Sequence, residues 1–147
     1  MLKVMRNKEI KQILSQIEEQ FGCLLKEDYV FLEGPEERIY ITTKQFLNID
    51  LTKLRVNNIG LYFGTKEKQG FRLSIEGTEL LNSPKKNVIE LNDEDFKAYM
   101  AGENLRLENS DGYKILKYKN HFVGCGKLSK NTLYNYLPKQ RRAKEKL

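Results

Sequence analysis

The chain has 147 residues, 39% of them hydrophobic and 31% charged, which suits one domain, or one with a small extension, able to bury a core without disulfides or metals. No apolar run reaches the ~18–20 residues of a membrane span, and residues 1–8 lack the apolar stretch of a signal peptide, so a cytoplasmic location is expected. Residues 111–147 carry ten Lys and Arg against two acids, a surplus of eight, while the rest of the chain carries an excess of two acids; this segregation makes a local positive field that attracts phosphates, set against the bland alternative of a lysine-rich solvated surface.

The first element is a helix. Ile10, Ile13, Leu14, Ile17 and Phe21 recur at spacings of three and four, which is one helical face. Asn7 is the expected N-cap and Gly22 the stop. Tyr29-Val30-Phe31-Leu32 and Arg38-Ile39-Tyr40-Ile41-Thr42 read as a hairpin around Glu33-Gly34-Pro35-Glu36. Thr42 or Thr43 is expected to cap a short helix through Phe46. Residues 59–65 and 70–75 form a second strand pair around Lys66-Glu67-Lys68-Gln69, and a helical turn near residues 76–81 ends at Asn82-Ser83-Pro84.

Val88-Ile89-Glu90-Leu91 reads as a buried strand. Asn92-Asp93-Glu94-Asp95 caps a helix and places acids in its first turn, where they suit the dipole. Phe96, Tyr99 and Met100 give this helix an apolar face, and Gly102 ends it. A β-meander follows. Leu105 and Leu107 alternate with polar residues, Asn109-Ser110-Asp111-Gly112 is a hairpin signal, and strands are expected at 113–118, 121–127 and 131–137, closed by Pro138. Residues 139–147 form a basic tail.

Short turns join these strands, so the sheet is expected to be mostly antiparallel. The fold class is α+β. An α+β part over residues 1–82 precedes a small closed or nearly closed barrel over residues 87–142, with residues 143–147 as tail.

The barrel segment carries the distinctive motifs. One strand ends in Gly124-Cys125-Gly126-Lys127; then comes Leu133-Tyr134-Asn135-Tyr136-Leu137-Pro138-Lys139-Gln140-Arg141-Arg142. This resembles the C-terminal PUA-like region of the Sun/RsmF-type RNA cytosine-5 methyltransferases, where a Gly-x-Gly-Lys element is followed by Leu-x-Asn-x-x-Pro-Lys-x-x-Arg. The similarity covers residues from about 87 to 142 and, more weakly, the N-terminal part. It implies a PUA-like pseudo-barrel that binds transfer or ribosomal RNA, in RNA modification or ribosome biogenesis.

The candidate RNA-binding residues are Lys114, Lys117, Lys127, Lys130, Tyr134, Lys139, Arg141 and Arg142. Arginine offers paired donors that suit phosphate oxygens; the alternative for 139–142 is a solvated tail. Gly124 and Gly126 mark a bent strand, needed either for barrel closure or for close approach of an RNA backbone. Among the interleaved aromatics, Phe122 is expected in the core. Tyr134 and Tyr136 share one face, each of them either core or a platform on which unpaired bases could stack.

The resembled methyltransferases act through a separate domain with a Rossmann-like sheet, a glycine-rich loop for S-adenosylmethionine and catalytic cysteines beside prolines. None of these is in this sequence: Cys23 follows Gly22, Cys125 lies in a strand, and neither precedes proline. The two cysteines are expected as free thiols, and the ligand spacing of a zinc site is absent. With a single histidine, His121, general acid–base options are few. The leading expectation is therefore a non-catalytic module that binds structured RNA and needs no cofactor or metal. The runner-up is an interaction subunit that targets a separate RNA-modifying enzyme, and an enzyme acting on RNA stands third.

Overall fold

The computed structural model describes residues 2–43 and 60–143. After a short strand β1 (Lys3–Val4), helix α1 runs Asn7–Phe21. Its N-cap is Arg6 rather than Asn7, because Asn7 already has helical geometry; the Glu9 carboxylate accepts from the Arg6 backbone N–H at 3.4 Å. Gly22 ends the helix in the left-handed conformation, φ 68°, and donates to the Glu18 carbonyl. Ile13, Ile17 and Phe21 are buried, as the periodicity requires.

Strands β2 (Val30–Glu33), β3 (Arg38–Thr42), β4 (Leu61–Glu67) and β5 (Gly70–Leu73) then pair in sequence order with β1 at the edge, all antiparallel. The second strand pair is shifted relative to expectation: β4 reaches Glu67, and the turn tightens to Lys68-Gln69. The helix expected through Phe46 lies outside the described residues. Helix α2 (Ile75–Glu79) is capped by Ser74, whose Oγ accepts from the Gly77 N–H at 2.9 Å and donates to the Tyr62 carbonyl at 2.6 Å.

The second sheet comprises β6 (Val88–Glu90), β7 (Leu105–Arg106), β8 (Gly112–Tyr118), β9 (His121–Ser129) and β10 (Thr132–Tyr134), in the order β6-β8-β9-β10-β7. Helix α3 (Asp93–Met100) lies between β6 and β7, capped by Asn92, which accepts from the Asp95 N–H at 2.7 Å. The pairing is antiparallel except for β6, which runs parallel to β8. The crossover through α3 allows this, since a parallel pair needs a long connection. This curled sheet, with its helix, is the α+β pseudo-barrel expected from the pattern. β6 itself is half-buried; Leu91 just after it is the buried residue. The last strand is shorter than 131–137, because the chain leaves the ladder after Tyr134.

Two cores gather the buried side chains among the described residues. One gathers Ile13, Ile17 and Phe21 of α1, Phe31, Ile39, Phe63 and Phe71 of the first sheet, and Tyr113, Ile115 and Cys125 of the second. The other gathers Leu91, Tyr99, Leu105, Leu116, Leu128, Leu133 and Leu137 inside the barrel. Strand β8 feeds both, so residues 113–116 are buried without interruption. A polar clamp ties the halves together. The Gln20 side-chain amide donates to the Phe71 carbonyl at 2.9 Å and accepts from its N–H at 2.8 Å. Asn87 donates to the Gln20 carbonyl and accepts from Lys114 Nζ at 2.7 Å.

Candidate nucleic-acid interface

The hairpin β8–β9 and strand β10 set one row of side chains. In the register, Tyr113 lies opposite Lys127, and Lys127 opposite Tyr134. Directly paired residues project to the same face, so these three form a Tyr–Lys–Tyr row. Its inner end is buried. Lys127 is half-buried, with Nζ 5.9 Å from the Tyr113 ring centroid, and Tyr134 is exposed. Lys130 is exposed in the β9–β10 turn, φ 49°, where its N–H donates to Asp111 Oδ1 at 3.0 Å.

At the inner end of the row, the Tyr113 hydroxyl donates to Glu67 Oε1 at 2.5 Å, and Arg72 Nε meets Glu67 Oε2 at 3.3 Å. The Arg72 guanidinium lies 4.0 Å over the Tyr136 ring. Burial, then the Glu67 carboxylate, raise the Tyr113 hydroxyl well above its ordinary pKa, and Tyr136 is raised for the same two reasons. Both phenols stay neutral at physiological pH, as donors and as aromatic faces. Tyr134 and Tyr136 are both exposed, at 44% and 38%; neither is core, while Phe122 packs against the first core.

Past Tyr136 the chain turns over α3 and α2. Asn135 makes this turn: its side chain donates to the carbonyls of Tyr99 and Glu103 at 2.8 and 2.9 Å and accepts from the Leu137 N–H at 2.8 Å. The Leu-x-Asn spacing is thus explained, because Leu133 and Leu137 enter the barrel core while Asn135 satisfies the end of α3. Lys139–Arg141 form a short 3-10 turn. Arg141 is ion-paired with Glu76 of α2. Arg142 Nε donates to the Leu137 carbonyl at 3.1 Å, and the side chain lies against Gly102, where a Cβ would be 2.7 Å from its Cδ. Arg72, Tyr136, Pro138 and Arg141 line one cleft of about 180 Å³ between the sheets.

The sequence-predicted residues therefore divide. Lys127, Lys130, Tyr134 and Lys139 lie on the surface, and among the described residues none of the three lysines has a carboxylate within ion-pairing distance. Arg141 is beside the cleft but shares its charge with Glu76, and Arg142 serves mainly to lock the C-terminal turn. Lys117 is at the far end of β8, four residues and so about 13 Å from the Tyr113 row; it is not brought together with the others.

Lys114 is a correction. It is 1% exposed, pointing into the barrel end, where Asn87, Asn109 and Ser110 accept from its Nζ, and burial lowers its pKa. It is a buried structural lysine and not the surface cation expected. The glycines are corrected in part. A Cβ on Gly124, φ 155°, would stand 2.1 Å from the Tyr99 hydroxyl, and one on Gly126 would stand 2.8 Å from the Tyr134 carbonyl. The close approach they permit is by the chain's own helix and strand, which is barrel closure.

Cys23 and Cys125 are both buried and free. Burial pushes the Cys125 thiol up to about 12 and raises Cys23 as well, so neither is a thiolate nucleophile near neutral pH. Sequence reasoning missed Arg72 and Glu67 at the site, which lie in another sheet from the motifs. The turn lysines and the β4–β5 hairpin carried no pattern linking them to residues 127–142.

Residues 86–143 match the family model described as the methyltransferase RsmF PUA domain. The chain is also similar to curated proteins named ribosomal RNA small subunit methyltransferase F. Identity is 27% with that of Shewanella oneidensis and 29% with that of Aeromonas hydrophila, each over 90% of this chain and 28% of the relative. The Vibrio campbellii protein is 25% identical over 91% of this chain and 29% of its own length. The chain thus spans less than a third of the length of these relatives, and the likeness read from the motifs extends through the N-terminal sheet.

Proposed function

We propose that this chain binds structured RNA without itself catalysing a reaction, as an RNA-recognition module for ribosomal or transfer RNA in a modification or assembly pathway. The match of residues 86–143 to an RsmF PUA domain carries this reading. It is supported by Lys127, Lys130 and Lys139, which have no acidic partner among the described residues, and by the Arg141 edge of the cleft. The relatives' name favours small-subunit ribosomal RNA over transfer RNA.

The test is salt-dependent binding to bulk ribosomal RNA by the full chain. The logarithm of affinity should fall linearly with that of salt concentration, with a slope of about −0.7 to −0.9 per phosphate contact. Lys127→Ala, Lys130→Ala and Lys139→Ala should each flatten that slope by roughly one contact. A flat salt response, or no binding to ribosomal or transfer RNA, sinks the reading.

A second reading is favoured by the relatives being methyltransferases of more than three times this length: the module delivers RNA to a separate modifying enzyme. Retrieval of a methyltransferase by the tagged chain from ribonuclease-treated extract would support it, and retrieval only while RNA is intact would count against it.

A further inference from the structure

A second cleft, of about 520 Å³, adjoins the first along the N-terminal sheet, lined by Glu36, Arg38, Tyr40, Tyr62, Thr65, Arg72 and Tyr136. Its volume falls in the range of ordinary ligand sites, roughly 300–1,000 Å³. Tyr62, Arg72 and Tyr136 line both clefts, so the two meet at these side chains and together make the groove over the sheet junction. Its β3–β5 wall lies wholly outside the segment that matches the PUA family model.

The groove combines flat faces with exchangeable cations. Tyr40 and Tyr62 pair across β3 and β4 with ring centroids 5.7 Å apart at 51°. The Tyr62 hydroxyl bonds Thr65, which fixes that ring in place. Arg72 is held by Glu67 with its guanidinium over Tyr136, so the stack is already formed before any ligand arrives. Preorganised aromatic and guanidinium planes are what unpaired bases stack on, and every base has a π-face. At the margins, Arg38 is 51% exposed and faces Glu36 at 3.6 Å, itself 77% exposed. A pair so open is worth little, and a phosphate can replace its carboxylate. Leu61, one of the few exposed large apolar side chains among the described residues, lines the cleft toward α2.

Resting on the RNA-binding reading, we infer that this groove holds unpaired RNA bases, stacked on Tyr136, Arg72 and the Tyr40–Tyr62 pair, with Arg38 and Arg141 on the flanking phosphates. The lysines of the barrel would then hold the adjoining backbone, and the substrate is RNA with a loop, bulge or single-stranded end beside a helix.

Fluorescence polarisation with the full chain tests this, using a labelled RNA hairpin with a long unpaired loop and a blunt duplex of the same stem. The wild type should prefer the hairpin. Tyr136→Leu, at an exposed position, and Tyr62→Leu should each lose about ten-fold on the hairpin, one base stack's worth, with the salt slope and the duplex affinity unchanged. Arg72→Lys keeps the charge but removes the plane, and should lose affinity in the same way. If hairpin and duplex bind alike, the inference falls. It also falls if these variants match wild type on the hairpin while Lys127→Ala still weakens binding, and the broader RNA reading then stands. If neither RNA binds, both fall together.

Discussion

The two sheets are built from similar strands but treat their charges differently. In the N-terminal sheet three strand cations have an acid beside them: Lys66 meets Glu33 and Glu37 at 3.0 and 3.3 Å, Arg72 meets Glu67, and Arg38 meets Glu36. Burial alone would pull the Lys66 amine down, yet the two carboxylates outweigh it and raise it. In the C-terminal sheet Lys127, Lys130 and Lys139 stand without such partners among the described residues. Local pairing keeps a sheet quiet, whereas unpaired cations leave a field that reaches outward about a Debye length. The sheets also differ in burial. β8 is covered on both faces, so a polar side chain inside it, Lys114, must be fully satisfied.

The contrast is one of charge and not of independence, since one core spans both sheets. The strongest way to break it is Phe63→Ala, at a fully buried ring in van der Waals company with Phe31 and Phe71. A loss of about 3–5 kcal/mol is expected, with both sheets melting in one transition; separate transitions in calorimetry or near- and far-UV dichroism would show two independent units instead. Gly124→Ala comes next. It adds a methyl where the Tyr99 hydroxyl stands, at a backbone angle that side chains avoid, and should cost about 3 kcal/mol from overpacking and strain together.

Lys114→Met sharpens the charge comparison. It removes the Nζ donor from the half-buried Asn87 Oδ1 and should cost about 1–3 kcal/mol in denaturant unfolding, while RNA affinity and its salt slope stay as in wild type. A loss of RNA affinity in the folded variant would return Lys114 to the interface.

The last effect, a slope of stability against pH, is confined to alkaline pH and vanishes below pH 9. The Cys125 thiol keeps its proton up to about 12 when folded, against 9.0 ordinarily. Its contribution is therefore fully present below pH 9 and drains away as pH rises from there toward 12, because the unfolded chain releases the proton first. The slope is at most about 1.4 kcal/mol per pH unit. Cys125→Ala should flatten stability against pH over that window, with the raised tyrosines Tyr99 and Tyr113 supplying what slope remains.

Much of the local structure was legible in advance. The spacing of Ile13, Ile17 and Phe21 gave α1, and Asn92 and its acids gave α3, whereas the hairpin expected at Asn109-Ser110-Asp111-Gly112 does not form, because β7 pairs with β10 and not with β8. These signals are local, set by side chains acting on their own backbone within a turn or two. The N-cap of α1 moved by one residue and β10 stopped early because termini depend on what the chain meets next. β1 was missed altogether: a two-residue strand exists only by pairing with β2.

The amino-acid order by itself determined the helices, the antiparallel hairpins, the surplus of cations at the C-terminal end and the motif that marks the barrel, because each depends on neighbours in the chain. Only the tertiary structure decided which of those cations are free. Lys114 and Lys127 look alike in the sequence, but one enters a barrel core that demands hydrogen-bond partners and the other ends a surface row. Likewise, no sequence pattern joins Arg72 to Tyr136; packing one sheet on the other brings them to 4.0 Å, since contact across a core depends on fold geometry and not on separation along the chain.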